Sequence, residues 1–98
     1  MRRRYLVAYD VSSPDRLRRT YRVMNGFGDP VQYSVFVCDL SAVERQLMRE
    51  QLSAVLNLKE DRVLIIDLGV ADSRIAASFD VIGRQLTVGR DAYQATII

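Results

Sequence analysis

The sequence predicts an α+β fold of order βαββαβ, a ferredoxin-like sandwich with an additional C-terminal strand. Three features carry that prediction. Residues 4–11, RYLVAYDV, are apolar almost throughout until Asp10, as a strand from the middle of a sheet is. Two helix starts follow, at Ser13-Pro14-Asp15 and at Ser41-x-x-Glu44. Residues 62–68, RVLIIDL, make a second strongly apolar strand, stopped by Gly69.

Each element has its own local reason. Ser13 is placed to cap the first helix, with Pro14 at its first position and Asp15 in its first turn. Leu17, Tyr21 and Met24 recur at helical spacing, and Arg16, Arg18, Arg19 and Arg22 occupy the other faces. Asn25-Gly26 and Gly28, tolerant of left-handed backbone, end it. Residues 31–40, VQYSVFVCDL, hold Gln32, Tyr33 and Ser34 inside an apolar run. The topology requires two short strands there, bent at Tyr33-Ser34, although no Asn-Gly or Gly-Gly turn marks the bend. The second helix starts in a capping box and carries an apolar face of Val43, Leu47, Met48, Leu52, Val55 and Leu56, interrupted by Gln51. The segment 72–77 is weakly helical at best, FDVIGRQL suggests a short edge strand, and AYQATII alternates like another.

The 98 residues fit one domain, taken here as 1–80, with 81–98 as a strand segment that packs on a dimer mate or a partner. With both helices on one face, the other face of the sheet is left open. It carries Tyr5, Val7 and Tyr9 if the pleat runs that way, and Phe36 is expected to point to the dimer or nucleic-acid side. An open apolar face needs covering, and a sheet-to-sheet homodimer covers it.

Composition removes several classes of chemistry. No apolar run approaches the ~18 residues of a membrane span, and no signal peptide is recognisable, so a cytoplasmic protein without a membrane partner is expected. The single cysteine, Cys38, lies in an apolar strand and reads as a small buried hydrophobe. With no histidine, zinc sites and Ser-His or Cys-His catalysis are excluded. Gly26-Phe27-Gly28 lacks the lysine and following helix of a phosphate-binding loop.

Charge is distributed unevenly. Arg2, Arg3, Arg4, Arg16, Arg18, Arg19 and Arg22 face only Asp10 and Asp15 within the first 22 residues, while the rest of the chain is net acidic. Arginine forks suit phosphate, so a polyanion on one side of the molecule is one reading; a solvated helix face is the other. Asp10 is the carboxylate best placed for chemistry, at the carboxyl end of a central strand, although an aspartate there also closes strands by Asx-turns. One carboxylate is a poor metal site. Two copies of Asp10 across a dimer axis could share Mg²⁺ or Mn²⁺ with waters and phosphate oxygens. Arg16 with Arg19, and Arg18 with Arg22, share helix faces and could clamp a nucleic-acid backbone. Asp67 is left outside this site.

YLVAYDV, an arginine-rich helix, GFGDPVQYSVFVCDLS and RVLIIDLG, in this order and at these distances, resemble the small universal CRISPR-associated (Cas) adaptation protein, the partner of the CRISPR integrase. The resemblance runs from about Tyr5 to Gly69 and continues loosely beyond. It implies a ferredoxin-like homodimer in which Asp10 binds the metal, with Tyr9, Arg16, Arg18, Arg19 and Phe36 around it. It also implies a spacer-acquisition subunit that binds duplex DNA with the integrase, and a Mg²⁺-dependent endonuclease acting on DNA or RNA phosphodiesters. A non-catalytic DNA scaffold and a toxin-like mRNA interferase of the same fold are the alternatives. An RNA-binding sheet with Tyr5, Tyr9 and Phe36 stacking on bases lacks the glycine-aromatic motif of such domains. The chain departs from the common pattern at Pro30, where arginine is usual, and at Val37, where glutamate is usual.

Overall fold

The computed structural model describes residues 1–71, 79–84 and 96–97. Within them the elements are β1 (Arg3–Asp10), α1 (Pro14–Asn25), β2 (Asp29–Gln32), β3 (Val35–Leu40), α2 (Ala42–Val55), β4 (Arg62–Val70), β5 (Asp80–Val81) and β6 (Thr96–Ile97). The first four strands form an antiparallel sheet in the order β2-β3-β1-β4, the expected ferredoxin-like arrangement with β1 at its centre. β5 and β6 pair in parallel as a separate two-stranded sheet. The weak helix expected over 72–77 and most of the 81–98 tail lie outside the described residues. No helix among the described residues is long and apolar enough to cross a membrane.

Both helix starts form as their sequences require. The Ser13 hydroxyl accepts from the Arg16 amide at 3.4 Å, one turn into α1. At α2 the capping box closes in both directions, Glu44 N–H to Ser41 Oγ at 3.2 Å and Ser41 N–H to Glu44 Oε1 at 2.8 Å. That backbone donor is the main reason the Glu44 carboxyl titrates below its usual range.

The bend within VQYSVFVCDL is present. Tyr33 and Ser34 separate β2 from β3, and Ser34 takes a left-handed backbone at φ 64°. The Tyr9 amide donates to the Ser34 carbonyl at 3.0 Å, which ties the turn to the end of β1.

The faces of the sheet are the reverse of the expectation. Tyr5, Val7 and Tyr9 point at the helices and pack with Phe36, Cys38, Leu40, Met24, Met48 and Leu52. Phe36 is fully buried there instead of facing a partner. Side chains alternate along a strand, so Leu6, Ala8 and Asp10 fall on the opposite face. On that face Val37 is enclosed by Leu6, Val31, Leu68 and Phe79, while Leu64 and Ile66 remain 52% and 44% exposed. Between Arg4 and Asp10, β1 is apolar on both sides, so this stretch by itself gives no parity. The parity is set by which side chains fit beneath the helices.

Three smaller expectations also change. β4 does not stop at Gly69 but runs through it to Val70, past a bulge that leaves Leu68 unpaired opposite Arg4 and Tyr5. Thr20, which donates to the Arg16 carbonyl at 2.8 Å, is buried with Met24 in α1, and Tyr21 sits at the edge of the core. On α2, Val43 and Leu47 are exposed, so only the Met48–Leu52 part of the expected stripe is core.

Gly28 matters for space, not for left-handed backbone. A Cβ there would overlap the Val37 carbonyl oxygen and the Cys38 Sγ, because the chain leaving α1 runs hard against β3 as it enters β2. Gly28→Ala should therefore destabilise the fold by about 1–3 kcal/mol or more, read as a lower denaturant midpoint with unchanged slope. A midpoint equal to that of the unsubstituted chain would show that the crossing has room to relax.

Candidate functional site

Asp10 ends β1 with an exposed side chain on the open sheet face. The register brings Arg62, the first residue of β4, directly opposite it, on the same face and without an ion pair closing between them. Arg62 carries no sequence signal beyond its position before an apolar run, and only the strand pairing reveals it. Asp67, by contrast, pairs at the level of Tyr5, roughly 17 Å from Asp10 along the strand. It accepts from Arg3 at 2.9 Å and from the Gly69 amide at 2.8 Å, and it takes no part in the Asp10 end.

The loop after Asp10 is held by a residue that local sequence patterns do not single out. Asp61 has no exposed side-chain surface and sits where the α2–β4 loop meets the start of α1. One carboxylate oxygen accepts from the Ser12 amide at 3.0 Å, and the other accepts from Arg16 Nε at 2.7 Å and from the Asn57 amide at 2.9 Å. Arg16 Nη2 also reaches Ser12 Oγ at 3.1 Å and Glu60 at 3.4 Å. The Arg16 hydrogen bond is the largest cause, and the backbone donors add to it, in holding the Asp61 carboxyl far below the ordinary value of 3.8. Arg16 is thus committed to fixing the loop that carries Asp10.

Most of the amino-terminal arginines are likewise paired. Arg2 meets Glu44, Arg3 meets Asp67, Arg4 makes a two-pronged contact with Asp39 at 2.8 and 2.9 Å, and Arg18 meets Asp15. The Asp15 pair forms at a spacing of three residues, to Arg18. Both of its side chains are largely exposed, so it competes weakly with any other anion. Arg19 and Arg22 make no ion pair among the described residues. The cationic face open to a polyanion is therefore Arg18, Arg19 and Arg22.

Tyr9, next to Asp10, points the other way. Its ring stacks on Phe36 with centroids 6.2 Å apart, and Tyr21 meets Phe36 edge-on at 5.5 Å. Burial pushes the Tyr9 phenol up to about 12, against the smaller opposing effect of a hydrogen bond with Ser34. It is a protonated donor at neutral pH. Cys38 is buried, and its thiol is also pushed up to about 12, which leaves it inert packing as expected.

For a divalent ion, the described residues offer one carboxylate without an ion pair at this end, Asp10. No group of three acidic, cysteine or histidine side chains able to hold a metal occurs among the described residues. A hard ion that keeps several waters fits an exposed aspartate of this kind if a second copy supplies another.

A family model described as CRISPR associated protein Cas2 matches residues 1–76. The chain is 39% identical over 90 residues to the CRISPR-associated endoribonuclease Cas2 of Geobacter sulfurreducens, covering 86% of this chain and 95% of that one. It is 34% identical over 90 residues to CRISPR-associated endoribonuclease Cas2 1 of Rhodospirillum rubrum, covering 86% and 88%. Among solved structures, a hypothetical protein, TT1823, from Thermus thermophilus superimposes with a TM-score of 0.68 at 29% identity, covering 69% of this chain and 83% of that one. Streptococcus pyogenes Cas2 superimposes with a TM-score of 0.64 at 31% identity, covering 67% and 86%.

The Asp61 contacts give a pH signature. A carboxyl whose folded pKa is depressed stabilises the fold fully above its unfolded value and loses that contribution as pH falls through the folded one. Asp61→Asn should lower the thermal midpoint at about pH 7, and the gap to the unsubstituted chain should shrink below about pH 4. A gap that stays constant across that range would mean that the carboxylate charge contributes nothing.

Proposed function

The chain belongs to the Cas2 family of CRISPR-associated proteins, and from that premise we propose that it acts in spacer acquisition as a homodimer that binds nucleic acid and cleaves phosphodiester bonds with Mg²⁺ or Mn²⁺ at paired Asp10. The observation that carries this reading is the parity of β1. It sets Asp10 on the same face as Leu6, Leu64 and Ile66, so an apolar contact with a second copy would bring two Asp10 carboxylates toward one another. The relatives named as endoribonucleases support the activity. Duplex DNA and the integrase are the proposed nucleic-acid and protein partners in acquisition.

In this mechanism the side chains divide the work. Asp10 from each copy would hold the ion, which when bound supplies Lewis acidity at a phosphoryl oxygen and an activated water. Arg62, beside Asp10, offers a cation to the phosphate at that end of the sheet. Arg18, Arg19 and Arg22 bind flanking phosphates, whereas Arg16 positions the Asp10 loop through Asp61. Phe36 supports Tyr9 from the core.

Cleavage of RNA and duplex DNA by the unsubstituted chain and by Asp10→Ala, in Mg²⁺, tests the catalytic part. Loss of cleavage with retained binding is expected; equal activity would refute the role of Asp10, and an unsubstituted chain that binds but never cleaves would leave a scaffold. Leu64→Glu tests the dimer separately, because Leu64 is exposed within one chain. The variant should sediment as a folded monomer, and an unchanged dimer would place the contact elsewhere.

Salt dependence sorts the arginines. Arg22→Ala should reduce the slope of log K against log salt by about 0.9 on duplex DNA. Arg16→Ala should leave that slope unchanged and lower the thermal midpoint. Equal slopes in all three proteins would remove the phosphate role of α1.

A further inference from the structure

Beside the arginine face of α1 lies a groove of about 510 Å³ lined by Tyr9, Leu17, Arg18, Tyr21, Arg22 and Tyr33. Three of its six lining side chains are phenols, two are guanidinium groups and none is acidic. Its volume is in the range of about 300–1,000 Å³ that accommodates a small planar group. It opens at the end of β1, on the helix side, while the next residue, Asp10, faces the other side.

The walls differ in rigidity. Tyr9 and Tyr21 both rest on the fully buried Phe36 ring, so two of the three phenols are held from the core. Tyr33 stands at the tip of the β2–β3 turn and is 82% exposed. Ser34 and its bond to the Tyr9 amide fix the turn, so Tyr33 is presented over the groove from an anchored loop. Tyr33 packs into no core and leaves a large aromatic surface in water, an arrangement suited to covering an incoming flat group.

We infer that this groove is a docking site for one unpaired nucleobase, stacked against Tyr33 and Tyr21, with the adjoining phosphates held by Arg18 and Arg22. The inference rests on the nucleic-acid reading above and narrows it, because a base can enter only from a single strand, a frayed end or an overhang. Charge chooses this occupant over an uncharged or cationic one: the rim carries two arginines, Arg22 has no ion-pair partner among the described residues, and Arg18 has only the exposed Asp15. Stacking on phenol faces is tolerant of base identity, so the groove selects unpaired from paired strands and not one sequence from another. The aromatic residues that read as a base-binding sheet in the sequence, Tyr5, Tyr9 and Phe36, are core instead, and the stacking surface is moved to the turn and the helix.

Binding of single-stranded DNA, single-stranded RNA and blunt duplex DNA, followed by fluorescence anisotropy, tests it with Tyr33→Ala, Tyr33→Phe and Arg22→Ala. Tyr33→Ala should weaken single-strand binding about ten-fold, Tyr33→Phe should restore it, and neither should change binding of the blunt duplex. Loss on only one of the two single strands identifies which one the groove serves. Tyr33 is exposed, so equal thermal midpoints will confirm that the variants are folded. If Tyr33→Ala binds single strands like the unsubstituted chain while Arg22→Ala weakens all three ligands, the groove proposal falls and the phosphate reading stands. If the unsubstituted chain binds none of the three, both fall.

Discussion

The parity of β1 is the constraint on which the functional geometry depends. Its side chains alternate, so one assignment places Tyr5, Val7 and Tyr9 beneath the helices and Leu6, Ala8 and Asp10 on the open face. A one-residue slip would exchange these sets throughout the strand. It would bury Asp10 without a partner, expose the two tyrosines, and separate Tyr9 from Phe36. Fully burying an unpaired carboxylate is costly enough to make such a slip unavailable. The ring contact of Tyr9 with Phe36 and the two-pronged contact of Arg4 with Asp39 across β1 and β3 hold the observed register from opposite faces.

The same strand shows what was legible in the sequence. Element order was readable because local chemistry announces it: Ser13-Pro14, the Ser41–Glu44 box and the apolar runs of β1 and β4 act over a few residues. The bend at Tyr33-Ser34 was readable from topology, which needs two strands between the helices. Which face of β1 meets the helices was legible only at the ends of the strand, where Arg4 and Asp10 share the parity of the open face, because the residues between them are apolar on both sides and show no alternation. Phe36 was misplaced for the same reason. Gly28 and Gly26 look alike in a helix-ending sequence, yet Gly28 is required by the close approach of the chain to Val37 and Cys38 of β3, a fact of tertiary packing.

Charges follow a similar division. Seven arginines in the first 22 residues look like one basic patch, but their partners Glu44, Asp39, Asp61 and Asp67 lie tens of residues away and are invisible to local pattern. Long-range pairing turns Arg16 from a candidate phosphate ligand into the anchor of the Asp10 loop. What remains for an anion is a short face of α1, adjoining an aromatic groove on one side of the sheet edge, with Asp10 and Arg62 on the other. Position in the fold, more than composition, separates the arginines that are held by ion pairs from those left open to an anion.

In the proposed dimer, parity directs Asp10 of one copy toward Asp10 of another. Spin labels on Asp10→Cys measure this directly, because Cys38 is buried and its thiol, pushed up to about 12, stays unlabelled. Double electron–electron resonance on the dimer should give a single short distance, on the order of the ~10 Å spacing of packed sheets plus the label arms. A dimer with long or broadly distributed label distances would contradict this arrangement, since the open face would then not be where two copies meet.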